Sequence, residues 1–215
     1  MKKMFITMSV LALCFASCKK EVKVETETTT TDTTKVVTEE VPEAEEPMDS
    51  VAEMKAWESY MTPGDAHKML ASEAGSWNNE MTFWHDENSK PEKATSTAEI
   101  KMILGGRYQE ANYKGMMMGM PFEGRGTVAY DNSTQQYTST WIDNMGTGMM
   151  VMKGKMGSDG KTLELTGKMV DPARKKETNC REVYTIVDAN TRKMEMYCDK
   201  NGKELKNMEI VMKRK

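Results

Sequence analysis

No stretch of the 215-residue chain is apolar for long enough to cross a bilayer as a helix, which takes about 20 residues. Histidine is almost absent. The only two, His67 and His85, cannot supply the ligands of a His-based zinc centre. Neither a G-x-S-x-G nucleophile turn nor a phosphate-binding glycine loop occurs, so the chain carries no motif for those hydrolase and nucleotide classes. Charge is also scarce in net terms. The whole chain carries −3, and residues 51–215 carry about +1, which leaves no electrostatic footprint for nucleic acid.

What is present begins with Lys2 and Lys3, followed by an apolar run from Met4 to Phe15 broken only by Thr7 and Ser9. That run is too short for a bilayer span and fits the apolar region of a secretory signal over residues 1–17. Phe15-Ala16-Ser17-Cys18 then resembles the lipobox of bacterial lipoproteins, whose peptidase cuts before a cysteine carrying diacylglycerol. The resemblance departs at Phe15, where leucine is usual. It implies Cys18 as the lipidation site, the lipid bilayer as partner through that acyl anchor, and location in the cell envelope at the outer membrane. The alternative is an ordinary secretory signal cleaved near Ala16.

Residues 19–50 hold four lysines, ten acidic residues and no aromatic residue. Such a segment cannot bury enough apolar surface to offset its ordering entropy. Together with Cys18 it is expected to form a disordered acidic tether over residues 18–50, leaving residues 51–215 as one domain.

That domain reads as two short helices followed by strands and turns. Ser50-Val51-Ala52-Glu53 is a capping box ahead of an apolar stripe at Val51, Met54, Trp57 and Met61. Thr62-Pro63-Gly64-Asp65 starts a second helix through Ala66, Met69, Leu70 and Glu73, which Gly75 stops. Turn signals then recur at Gly105-Gly106, Asp131-Asn132, Asp143-Asn144, Ser158-Asp159-Gly160, Asp171-Pro172, Asp188-Ala189-Asn190 and Asn201-Gly202. This spacing predicts an all-β antiparallel meander of about ten strands. A meander that long closes into an up-and-down barrel, because closure removes the exposed edges.

Cys180 and Cys198 lie in a compartment that permits disulfides. They flank two strands around Asp188-Ala189-Asn190. A three-residue hairpin loop with Asn190 in the left-handed region pairs residues whose numbers sum to 378, which sets the two cysteines opposite each other. A disulfide between them is the expectation, and two free buried thiols the alternative.

Gly75-Ser76-Trp77 opens the first strand, and NMEIVMKRK ends the last. This resembles the lipocalin and fatty-acid-binding-protein superfamily, in which a G-x-W tryptophan packs under a basic residue of the final strand. The resemblance implies a calycin-like barrel closed at one end by Trp77 and Arg214. Across residues 57–215, the segments TPGDAHKMLASEAGSW, ILGGRY, GMMMGMPFEGRGTVAYDN, STWIDNMGTG and MEIVMKRK resemble the bacterial family catalogued as domain of unknown function 1579. That resemblance implies the same barrel but no reaction, substrate or cofactor.

Nineteen of the 23 methionines fall after residue 50. Strand alternation puts Met150, Met152, Met194, Met196, Met208 and Met212 on one face, taken as the interior. Flexible methionines fill an irregular core or line a promiscuous apolar cavity. Thioether clusters also bind Cu(I), which is the minority alternative. The expected ligand-binding residues are Met118, Met120, Phe122, Tyr130, Trp141, Met150, Met152, Glu182, Tyr184 and Met196, with Trp141, Tyr130 and the Met116–Phe122 segment at the mouth. Glu182 shares the face of Cys180, Tyr184 and Ile186, where a buried carboxylate needs a partner such as Arg107 or Arg214. No catalytic residue, metal or cofactor is assigned. The leading expectation is a lipid-anchored barrel carrying a small apolar molecule. A side-chain-filled structural barrel of the envelope and an enzyme working at the barrel mouth are the alternatives.

Overall fold

The computed structural model describes residues 49–87 and 89–215. The expected signal peptide, Cys18 and the expected tether up to residue 48 lie outside the described residues.

Helix α1 (Ser50–Met61) and helix α2 (Asp65–Ala71) precede ten strands. These are β1 (Gly75–Phe83), β2 (Glu92–Ile103), β3 (Tyr108–Met117), β4 (Met120–Asp131) and β5 (Gln136–Asp143), then β6 (Met150–Met156), β7 (Thr162–Asp171), β8 (Lys176–Ile186), β9 (Thr191–Lys200) and β10 (Lys203–Arg214). Each strand pairs antiparallel with its neighbours in sequence, and β1 pairs with β10, so the sheet closes. The result is an all-β, up-and-down barrel in which every strand has a hydrogen-bonded neighbour on both sides.

Short connections made by turn residues set this order. Asp131, Asp159 and Asp171 each accept backbone N–H groups two and three residues on, as Asx turns do. Met118-Gly119, both at positive φ, form the tight β3–β4 turn, which the sequence reading does not mark. The β8–β9 connection differs in detail from expectation. Asn190 is absent from the left-handed region; its N–H donates instead to Asp188 Oδ1 at 2.7 Å. The register is nonetheless Cys180 opposite Cys198 and Glu182 opposite Met196. Cys180 and Cys198 form a disulfide.

The helices also depart from expectation. The N-cap of α1 is Asp49, whose carboxylate accepts from Val51 N, and not Ser50. The stripe of Val51, Met54, Trp57 and Met61 is more than half exposed at every position. Packing does not hold α1. Its C-terminal carbonyls are capped from the barrel, with Asn132 Nδ2 donating to Ser59, Tyr60 and Thr62 and Arg107 to Met61. Helix α2 starts after Gly64, whose N–H donates to His67 Nδ1 at 3.0 Å, and it buries His67 and Leu70. It lies against β2, β3 and β4 and so covers one end of the barrel. Burial keeps the His67 imidazole below its ordinary value.

Alternation along each strand sends one set of side chains inward. Around Leu70 the core comprises Tyr137, Met152, Leu163, Leu165, Met196 and the disulfide. Around Trp77 it comprises Met81, Ala98, Ile100, Ala111, Ile210 and Met212.

Candidate functional site

Ten strands enclose more space than these side chains fill. A cavity of about 400 Å³ runs inside the barrel, within the usual range for small-molecule sites. Its wall is mostly apolar and rich in methionine, with Met81, Met150, Met152, Met194, Met196, Met208 and Met212 contributed by β1, β6, β9 and β10.

The helix-covered end is sealed by polar contacts. Trp77 is fully buried and stands opposite Arg214 in the β1–β10 ladder. The Arg214 guanidinium lies 4.4 Å from the Trp77 ring centroid, at cation–π distance. It also donates to Ala74 O and Ser72 O, each at 2.7 Å, capping the carbonyls just after α2. A second arginine, Arg192 on β9, lies 5.4 Å from the same ring.

Arg192 belongs to a network that the sequence reading missed. Its Nε donates to Glu73 Oε1 at 2.9 Å, and both side chains are almost wholly buried. Glu73 Oε1 also accepts from Tyr184 OH, and Oε2 from Gln109 Nε2. The Glu73 backbone oxygen accepts from Trp77 Nε1 at 2.9 Å. A buried carboxylate so surrounded is paired and hydrogen-bonded, the condition under which burial of charge is tolerated. The available signal was parity: Arg192 precedes Met194 and Met196 on the inward face of β9.

At the opposite end the cavity wall includes Phe83, Met117, Met145 and Met169, from the ends of β1, β3 and β7 and the loop after β5, so the opening lies there. Trp141 lines the same region. Its Nε1 donates to Asp143 Oδ2 at 2.7 Å, and its ring meets Tyr113 edge-on and Phe122 in a stack. Glycine makes this possible. A Cβ at Gly124 would sit 2.4 Å from Trp141 Cζ2, so the indole occupies the space that a side chain on β4 would fill.

Of the expected ligand-binding residues, Phe122, Trp141, Met150, Met152, Glu182, Tyr184 and Met196 line the cavity. Three others are elsewhere. Met118 sits at positive φ in the β3–β4 turn, and both it and Met120 are exposed at the rim. Tyr130 lies next to the last residue of β4, at the helix-covered side, in ring contact with His67 and Tyr137, away from the mouth. Burial pushes the Tyr137 hydroxyl up to about 12.

Glu182 stands apart. It faces inward between Leu165 and Met196 in the ladders, and the accessibility it retains is to the cavity it lines. Neither Arg107 nor Arg214 reaches it. Arg107 donates to Met61 O and Leu104 O, and Arg214 to the turn after α2. The difference is one of ends and faces: both arginines cap α-helical or turn carbonyls, while Glu182 lies midway along β8. Burial alone pushes its carboxyl up to about 7. Among the described residues no group of three or more His, Cys, Asp or Glu side chains forms a metal cluster.

Fold and site thus define a closed ten-stranded antiparallel barrel, stoppered at one end and open at the other, with an apolar interior. The chain belongs to the family described as "Protein of unknown function (DUF1579)", which matches residues 62–214. Among solved structures it is similar to Rv2717c from M. tuberculosis, with a TM-score of 0.54 at 14% identity, covering 72% of this chain and 99% of that one. At that identity the likeness extends to the fold alone. No curated protein matches the chain.

Proposed function

We propose that this protein is an exported lipoprotein, anchored through acylated Cys18, whose barrel binds or carries a small apolar ligand. The observation that carries the reading is the internal cavity of about 400 Å³, lined by flexible, polarizable methionines. A core meant only to be filled would use side chains with better-defined rotamers. The Cys180–Cys198 disulfide agrees with an oxidising compartment. Among the described residues no helix is long and apolar enough to cross a membrane.

Native mass spectrometry of freshly purified protein, with titration of an environment-sensitive fatty-chain probe, tests the reading. A retained small molecule, or probe fluorescence that rises on binding and falls on displacement by apolar compounds, is the expected result. If no probe enters, the barrel is an envelope structural protein. For the anchor, Cys18→Ser is expected to release the chain from membranes while leaving the domain folded. A variant that still sediments with membranes like wild type would contradict lipidation.

A further inference from the structure

Resting on that reading, we infer that the ligand's polar group is a hydrogen-bond donor carrying positive charge: the cavity is built for an apolar amine, held at Glu182. The polar atoms left over inside the barrel decide this. Among the described residues, the Glu182 carboxyl has no hydrogen-bond or ion-pair partner, although it lies inside the barrel facing the cavity. Asn207 Oδ1, where β10 bulges between Lys206 and Met208, is buried without a donor and lines the same cavity. Both are acceptors. A buried acceptor left unmatched is costly, and an unmatched carboxylate more so.

The cations that would receive an acidic ligand are already engaged. Arg192 is held by Glu73 and by the carbonyls of Asp188 and Thr191. Arg214 is held by Ala74 and Ser72. A fatty acid entering the cavity would therefore bring a second carboxylate toward Glu182 with no cation to receive either. An alcohol would satisfy a hydrogen bond but leave an ionised Glu182 without a countercharge. A protonated amine satisfies both requirements, through a charge-assisted bond of the stronger kind.

The surroundings favour the same chemistry. Tyr113, Phe122 and Trp141 line the cavity as one aromatic cluster, and aromatic faces attract cations. The other ionisable groups toward the interior are Glu73, paired with Arg192, Asp143, which accepts from Trp141 Nε1 and the Met145 N–H, and the hydroxyls of Tyr113 and Tyr184, both raised by burial. None supplies a countercharge to Glu182. Burial holds the Glu182 carboxyl up to about 7, so at pH 8 it presents to the cavity a negative charge that an ammonium group would neutralise.

The test is a matched series on the purified full chain at pH 8: octylamine, octanol and octanoate, each titrated by displacement of a neutral fluorescent probe. Octylamine is expected to bind on the order of tenfold or more tighter than octanol, with octanoate weakest. Glu182→Gln keeps the shape and removes the charge. It should abolish the amine's advantage over octanol, and a cooperative urea unfolding transition with a wild-type slope establishes that the variant is folded. If octanoate matches or exceeds octylamine, or Glu182→Gln leaves the amine preference intact, the inference is wrong and the apolar-carrier reading stands. If the neutral probe and all three compounds fail to bind, the carrier reading itself falls, and this inference with it.

Discussion

Replacing Glu182 by glutamine should change how stability depends on pH more than it changes the fold. The Glu182 carboxyl is raised from its ordinary 4.5 to about 7 by burial alone. Below pH 4.5 it is protonated in both folded and unfolded chains and costs nothing. Between 4.5 and 7 the unfolded chain gives up the proton and the folded chain keeps it. Stability therefore falls as pH rises through this window and levels off above the folded value. The full loss is roughly 3 kcal/mol, a large fraction of a domain's usual 5–15 kcal/mol.

Glutamine cannot ionise, so Glu182→Gln should escape this loss. The assay is urea denaturation of both proteins at pH 4.5 and pH 8. The difference between them should grow by roughly 3 kcal/mol over that range, a midpoint shift on the order of 1–2 M urea. His67, which burial holds below its ordinary value, contributes a slope of the opposite sign, gaining stability as pH rises. Both proteins contain it, so it cancels. Parallel pH profiles for wild type and variant would refute the reasoning, because they would mean that the carboxyl is solvated or paired in the folded chain.

Other outcomes follow from the sealed end and the disulfide. Arg214→Ala removes a cation from the Trp77 face and two hydrogen bonds to the turn after α2; it should destabilise the fold by roughly 1–2 kcal/mol from the cation–π contact alone, read as a lower melting temperature. Lys213→Ala, on the opposite face, should leave it unchanged. Glu73→Ala leaves Arg192 buried without its partner and should cost about 3–5 kcal/mol in chemical denaturation; a loss under 1 kcal/mol would mean that water enters and solvates the arginine. Reducing Cys180–Cys198, which spans 18 residues, should cost about 3 kcal/mol by loop entropy, and an unchanged denaturation midpoint in reductant would count against that figure.

The strand half of this protein is legible because its information is local. Turn residues divide the chain, and a period of two assigns faces. Met150, Met152, Met194, Met196, Met208 and Met212 could therefore be placed on one face, and all six line the cavity. The pairing of Cys180 with Cys198 follows from a hairpin count, and the observed register agrees although Asn190 does not adopt the conformation assumed for it. Registry across a short hairpin survives such an error because it depends on the number of residues in the connection rather than on their dihedral angles.

The helix α1 stripe had the right period and no surface to bury against. Periodicity describes a helix's own faces and says nothing about what lies opposite. Glu73 and Arg192 stand 119 residues apart, and only closure of β1 onto β10, with α2 laid over the barrel end, brings them within hydrogen-bond distance. The same closure took Arg107 and Arg214 to the capping of carbonyls and left Glu182 without a partner among the described residues. The sequence by itself determined an antiparallel meander of about ten alternating strands, the Cys180–Cys198 register and the inward parity of the methionine face, since each depends on neighbours along the chain. Tertiary structure decided which buried charges meet, which one remains free and how much space stays empty between them, because these depend on distances across the barrel that no local pattern encodes.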